Sequence, residues 1–354
     1  MSINWTRHFE LLLLDNSGKG INLGDFRVVF SIDWFNISSQ PCDATFKIYN
    51  VSPETAHKIA GKEFSKIRVI AGYDGLEPVV SAADIGKETV VDPSQDGQRD
   101  GQNYGLIFSG DIRYSVEGKD NPVDSYVLIQ AAESGMAFSS TITSTTLAAG
   151  WTYGDMDLAL MKDFNANGVT DGRKPPMPPT VFPRGRVMLG MTRHLMDNVA
   201  SQCRATWMIV DGKRVMVADD EFMHDAIVLN SATGLIGMPK QTIGNGVNVR
   251  SLINPNIKVN GLIQLDQASI MRTTLGASDI TMAGGRITDQ NINGNITLDG
   301  TTAQPASIAT DGVYIVRGIM YTGDTRGDAW YMDMMCEARG AADLRTQDSF
   351  NRGG

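Results

Sequence analysis

The chain has 354 residues, more than the roughly 100–200 of one ordinary domain, so two or three domains are expected. A composition of 42% hydrophobic and 20% charged residues supports buried cores and excludes a disordered chain. The formal net charge of -9 argues against affinity for nucleic acid or an anionic membrane, because both need clustered Lys and Arg.

The longest leucine run, Leu11 to Leu14, is far short of the ~20 apolar residues of a membrane span, so no membrane anchor is expected. The opening MSINWTRHFE carries no apolar stretch followed by a small-residue cleavage site, and no secretion signal is expected either. Cys42, Cys203 and Cys336 are odd in number and widely spaced, which fits buried free thiols in a reducing cytosol, not a disulfide framework or a zinc site.

In chain order, the first third alternates. Phe26, Val28, Phe30, Ile32 and Trp34 fall on every second residue, and Ala44, Phe46 and Ile48 repeat the pattern, which places one set on a buried sheet face. Ser17 to Gly20 reads as a turn between strands. A short helix follows, with Ser52 as its cap, Pro53 in the first position and Glu54 at its positive end. Strands resume at Ile67 to Ala71, Leu106 to Tyr114 and Ser125 to Ala131; in the second of these Leu106, Phe108, Ile112 and Tyr114 are expected on one face, with a bulge or curl at Gly110. The polar stretch 76–104 reads as a protruding arm, since structureless loops beyond ~12–15 residues are unusual inside a compact domain.

Pro175, Pro176, Pro178, Pro179 and Pro183 mark an extended segment in the middle third. A helical stripe of Met191, Leu195, Val199 and Cys203 follows, then a hairpin from Trp207 to Val217 turning at Asp211-Gly212. Helix packed on a small sheet makes this an α+β module. The last third returns to strands: Val247, Val249 and Ser251; Ile257 to Leu265 with a turn at Asn260-Gly261; Val313, Ile315, Ile319 and Tyr321; and Trp330, Met332, Met334 and Cys336. A second polar insert, 272–309, contains a hairpin turning at Asn293-Gly294, and the tail from Gly340 onward reads as frayed. The expected fold class is thus β-rich multidomain (α+β): 1–135, 136–225 and 226–354, with the strand-rich thirds flanking a smaller α+β domain.

No motif carries chemistry. Asp163, Asn165, Asn167 and Gly168 open like a calcium loop, but the twelfth position, where a bidentate Glu belongs, is Lys174. Ser17-Gly18-Lys19-Gly20 lacks the first Gly and the final hydroxyl of a phosphate loop. Arg326-Gly327-Asp328 reads as a tight turn. His8, His57, His194 and His224 lack a catalytic context, and the run Asp219, Asp220 and Glu221 reads as solvated surface. No catalytic, cofactor-binding or metal-ligating residue is expected, and no enzyme activity.

Several phrases resemble a known family, the bacteriophage tail baseplate hub proteins. Phe46 to Thr55 (FKIYNVSPET), Ala71 to Tyr73 (AGY) and Ile107 to Asp111 (IFSGD) resemble the first tube-like β-barrel of those proteins. Gly237 to Thr242 (GMPKQT), Gly246 to Pro255 (GVNVRSLINP) and Lys258 to Gly261 (KVNG) resemble the start of the second, while Asp311 to Val316 (DGVYIV), Gly323 to Gly327 (GDTRG) and Trp330-Tyr331 resemble its later strands. The resemblance is strongest over 234–336 and weakest over 136–225. It implies two tube-like barrels and a homotrimer that joins the tail tube, or a tube-initiator protein, to a central spike protein. Wedge proteins and a tape measure protein would be further partners, in a virion assembled in the bacterial cytoplasm. DNA would pass through the channel without being specifically bound during ejection. The hub half of type VI secretion spike proteins is similar. The rival readings are a hub of a non-contractile tail or of a secretion-type particle and, from another class, a cell-wall hydrolase or glycan-binding tail component.

Overall fold

A computed structural model describes residues 6–35, 42–75, 103–219, 221–241, 247–266, 287–291, 294–298 and 312–338. The first third holds β1 (Arg7–Leu14), β2 (Gly20–Asn22), β3 (Val28–Phe35), β4 (Asp43–Tyr49), α1 (Pro53–Ala60), β5 (Lys66–Tyr73), β6 (Asn103–Lys119) and β7 (Ser125–Ala132). The middle holds α2 (Gly135–Ser140), β8 (Ile142–Leu147), α3 (Tyr153–Ala166), β9 (Thr170–Asp171), β10 (Arg186–Met191), α4 (Thr192–Gln202), β11 (Ala205–Val210) and β12 (Lys213–Ala218). The last third holds β13 (Ile227–Leu229), β14 (Lys240–Gln241), β15 (Val247–Ser251), β16 (Leu262–Leu265), β17 (Ile287–Asn291), β18 (Gly294–Leu298), β19 (Val313–Asp324) and β20 (Trp330–Ala338). The fold is β-rich, as the alternation predicts.

Thirteen strands make one sheet, running β14-β15-β20-β19-β3-β4-β7-β6-β5-β1-β2, with β16 also on β19 and β13 on β16. Within β3, Val28, Phe30 and Ile32 are buried while Val29, Ser31 and Asp33 are half-exposed, the period of two made physical. The first and last thirds share one core, which joins Leu11, Phe46 and Ile129 to Val249, Ile263 and Met334. A second core lies in the middle module around Met156, Phe164, Met196 and Trp207.

The thirds are joined through β19. On one edge it pairs with β20 throughout; on the other it pairs with β16 through Val313 to Ile315 and then with β3 through Gly318 to Asp324. At the changeover the register slips between Val316 and Gly318. Arg317, in that slip, donates to Glu337 Oε2 at 2.9 Å and to Asn260 Oδ1 at 3.2 Å. Asn260 adopts a left-handed backbone (φ 62°), which turns the chain so that Asn260 N–H and Gly261 C=O both bond Val316. The turn Asp324–Asp328 closes the other end: Asp324 accepts from Arg27 at 2.8 Å, and Thr325 Oγ1 accepts from Val28 N–H at 3.0 Å.

Local readings hold at α1, where Ser52 caps from outside and Pro53 opens the helix, and at the β11–β12 hairpin, whose Asp211 and Gly212 both have positive φ as a type I′ turn requires. Residues 15–19 form the expected turn between β1 and β2, with the Asp15 carboxylate accepting from Ser17 and Lys19 N–H. Three readings need correction. Leu106, Phe108, Ile112 and Tyr114 do not share a face, because the register slips near Ile107 and again near Arg113: Ile107 and Phe108 are buried, and Tyr114 is 44% exposed. Gly110 is not itself the bulge; a Cβ there would meet the Ala132 carbonyl oxygen at 2.7 Å. On α4 the buried stripe is Thr192, Met196, Val199 and Ala200, one step round from the expected one. A helix the sequence reading lacks, α3, is held at its start by a reciprocal cap between Thr152 and Asp155.

Within the 272–309 insert, β17 and β18 pair as the expected hairpin, although Gly294, expected in its turn, stands in β18 opposite Asn291; the rest of that insert lies outside the described residues. So do residues 76–102 of the first insert and the tail from Gly340.

Candidate assembly surface

One face of the long sheet covers the core; the opposite face is laid out in transverse rows fixed by register. Tyr331, Thr322, Ser31, Thr45, Gln130 and Tyr114 stand side by side across β20, β19, β3, β4, β7 and β6. The adjacent row reads Arg250, Asp333, Met320, Asp33, Asp43, and the one beyond it Asn248, Met335, Gly318, Phe35. Hydroxyl and amide side chains therefore fill one row of this face, with Met320, Met335 and Phe35 to one side of it and Val29, Leu128 and Val116 to the other.

Three cations on the face are closely paired with carboxylates. Lys47 meets Asp120 at 2.7 Å, Arg250 grips Asp333 through two bonds of 2.7 and 2.9 Å, and Arg27 meets Asp324. Arg113 reaches Asp43 only at 3.6 Å. Asp33 stands directly opposite Asp43, and its Oδ1 has no hydrogen-bond partner among the described residues. Burial, then the Asp43 charge, push the Asp33 carboxyl above its ordinary range.

At the rim, Phe35, Ile236, Met238, Met320 and Met335 line a groove of about 610 Å³. Each is at least 37% exposed. Methionines suit a contact surface because their unbranched chains adapt to whatever packs on them.

The middle module presents a second apolar surface. β8 and β10 form a two-stranded ribbon whose inner face buries Thr143 and Met188, while Ile142, Val187 and Leu189 point outward at 62, 73 and 75% exposure. The strand Val187-Met188-Leu189 is thus apolar on both faces, the pattern of a strand covered on both sides.

The candidate chemical motifs take structural roles. Asp163 and Asn165 lie in the last turns of α3, Asn167 caps it, and Gly168 follows with φ +85°. Lys174, which stands where a calcium loop needs its Glu, bonds Asp157 and Asp171. Arg326-Gly327-Asp328 is the turn between β19 and β20, and Arg7 donates to the Gly327 carbonyl oxygen at 2.6 Å. His8 is bonded to Asp74 and Glu10, His57 to the Pro53 carbonyl, His194 to Arg193, and His224 to the Asp225 carbonyl and Lys258 N–H. Cys42 and Cys336 are buried and Cys203 half-buried; burial raises all three thiols above their ordinary range. Among the described residues no group of His, Cys, Asp or Glu is placed to hold a metal, and no helix is long and apolar enough to cross a membrane.

Compared with solved structures, the chain superposes along nearly its whole length on the 43 kDa tail protein of prophage MuSo2 from Shewanella oneidensis. The TM-score is 0.54 at 7% identity, covering 95% of this chain and 98% of that one. The chain has the fold of a phage tail protein. A tail protein from Neisseria meningitidis MC58 matches this tail fold equally widely, with TM-score 0.52, 9% identity, and 95% and 98% coverage. The Francisella PdpA–VgrG complex in its half-lidded form matches with TM-score 0.51 and 5% identity, over 96% of this chain but 59% of that one. No family model and no curated protein matches the sequence. At such identities the fold is common and the side chains are not.

Proposed function

We propose that the chain is a structural, non-enzymatic subunit of a phage tail baseplate: a hub whose copies form a trimeric ring between the tail tube and a central spike protein. Residues 1–135 and 226–354 act as the two tube-like barrels and 136–225 as the module between them. Wedge proteins and a tape measure protein are its further partners, and DNA passes through the ring. The observation that carries this reading is the continuous sheet joining the first and last thirds. Its non-core face carries a row of Ser31, Thr45, Gln130 and Thr322, and Lys47 and Arg250 on it are paired with carboxylates. A wall with a hydroxyl row and paired Lys47 and Arg250 presents few free cations to exchange for the counterions of DNA.

The likeness to the Francisella VgrG supports a second reading, the equivalent subunit of a secretion-type particle. Electron microscopy of the purified chain tests both: a threefold ring with a central opening supports the hub geometry, and a monomer at every concentration overturns it. Clearing of a peptidoglycan substrate by the purified chain would overturn the non-enzymatic part and restore the hydrolase reading.

A further inference from the structure

Glu133 joins the sheet to the middle module. It directly follows β7 and precedes α2, and its N–H donates to the Cys42 carbonyl oxygen at 2.9 Å, which ties it to the start of β4. Its side chain reaches the other way. Oε1 accepts from Gly212 N–H at 2.9 Å, in the turn of the β11–β12 hairpin, and from Ser134 Oγ at 3.3 Å. Oε2 has no hydrogen-bond partner among the described residues, although the residue is only 2% exposed. A cavity of about 120 Å³ adjoins the hairpin, lined from the sheet by Trp34, Ile107 and Ile319 and from the hairpin by Met208, Val210 and Asp211. The turn end of the hairpin is thus tied to Glu133 beside incomplete packing. Nearer its other end, Thr206 Oγ1 accepts from Asn260 Nδ2 at 3.3 Å. The charges around the contact oppose a carboxylate. Asp211 in the turn and Asp111 on β6 both act on Glu133, and the buried Cys42 thiol lies within reach of Glu133, Asp43 and Asp33 alike. Arg113 on β6 reaches Asp43 at 3.6 Å, and Lys66 on β5 stands opposite Asp111; Glu133 itself has no ion pair among the described residues.

We propose that Glu133 is a proton-operated latch on the β11–β12 hairpin: protonated, it holds the turn against the sheet, and ionised, it releases the turn, which swings about its Thr206–Asn260 end and opens the cavity. A neutral carboxyl accepts the Gly212 bond without burying a charge. A carboxylate accepts it more strongly, but is then confined with Asp211 and Asp111 and cut off from water, and lifting the turn relieves both. Burial, against the opposing pull of Gly212 N–H, pushes the closed carboxyl up to about 8, from the ordinary 4.5 that it regains when open. The closed state therefore holds the proton more tightly, and opening grows about tenfold per pH unit from 4.5 to 8 and no further above it. His224, which accepts from the N–H of the cavity-lining Lys258, has a pKa lowered from 6.5 by burial and is the second titrating group at this junction. A change at Glu133 alone separates the two.

The test is hydrogen exchange of the full chain, followed amide by amide by NMR from about pH 5 to about pH 9 and corrected for intrinsic rates. In the wild type the Gly212 amide should exchange through an opening about tenfold or more as frequent as the one that exposes the β4 amides. Its protection should fall about tenfold per pH unit and level off near 8. Glu133→Gln, which keeps an acceptor for Gly212 N–H, should hold that protection constant across the range. Asp211→Asn removes one of the opposing charges at a position whose positive φ suits Asn, and should bring the end of the decline to lower pH; it also serves if the Gln variant is misfolded. Gly212 protection equal to that of β4 would mean that global unfolding alone exposes this amide. A pH dependence unchanged in the variants would assign it to His224 or another group. Either result overturns the latch.

Discussion

Removing the Asp157 carboxylate should destabilise the middle module by about 3 kcal/mol. The Arg214 side chain is 0% exposed and that of Asp157 is 1%. The pair is bidentate, Nη1 to Oδ1 at 2.8 Å and Nη2 to Oδ2 at 3.3 Å, and Arg214 also bonds Asp171. Breaking a buried ion pair from one side costs about 3–5 kcal/mol, because the remaining charge is stranded away from water. Asp157→Ala should fall at the low end of that range, since Asp171 still contacts the guanidinium. Replacing both partners, Asp157→Leu with Arg214→Met, should cost less than either single change, because no charge is then left stranded. Because the chain has two cores, the stability of the middle module is read locally, by native-state hydrogen exchange of α3 and β12 amides across a urea series. A loss below about 1 kcal/mol for Asp157→Ala, or a double variant as damaged as the sum of the singles, would refute the reasoning.

His8 should make the first third less stable as pH rises. Burial alone would lower its pKa, but hydrogen bonds to Asp74 (2.7 Å) and Glu10 (3.0 Å) outweigh it and raise the value to about 9. A folded pKa above the unfolded 6.5 gives stability that is full below pH 6.5 and lost as pH passes 9, and His8→Gln should remove that slope from exchange rates in β1 and β5. Glu133 acts in a lower window. Burial pushes its pKa up to about 8, so the folded protein holds a proton the unfolded one releases near 4.5; stability contributed by this group should fall between those values, and Glu133→Gln, which keeps an acceptor for Gly212 N–H, should be the more stable protein at pH 8. Gly110→Ala should destabilise the β6–β7 pairing by roughly 1–3 kcal/mol through overpacking, measurable as faster exchange in β7. Duplex DNA titrated into the assembled chain at low salt should show no submicromolar binding; affinity that falls steeply with added salt would reveal a ring of unpaired cations and contradict the neutral wall.

What was legible in the sequence is what depends on neighbours along the chain. Ser52-Pro53-Glu54 specifies α1 through capping and φ alone, and Asp211-Gly212 specifies a hairpin through two positive φ angles. Helix α3 was equally local in origin, with its Thr152 and Asp155 cap and its Met156, Leu160 and Phe164 stripe, but its last turn coincides with the Asp163 to Gly168 pattern that resembles a loop. The bulges in β6 were not legible, because a register slip is set by the partner strand. The two apolar surfaces were hidden for a related reason: Phe35, Met238, Met320 and Met335 become neighbours only when β19 lies between β3 and β20. No feature local to any of these positions distinguishes them from core residues.

The pairing of β3 with β19 also sets an order of events during synthesis. Arg27 and Asp324, bonded at one end of that ladder, are 297 positions apart. While the ribosome makes the intervening residues, β4 and β7 can already cover one edge of the nascent sheet, but the β3 edge that later receives β19 stays bare. An uncovered edge with Phe30 and Ile32 beside it is a template for any passing strand, a second nascent chain included. The arrival of β19, which can follow only once those intervening residues are made, is therefore also the step that covers this edge against misassembly. Truncations upstream of β19 should leave a protein that retains its middle module and aggregates through its first third.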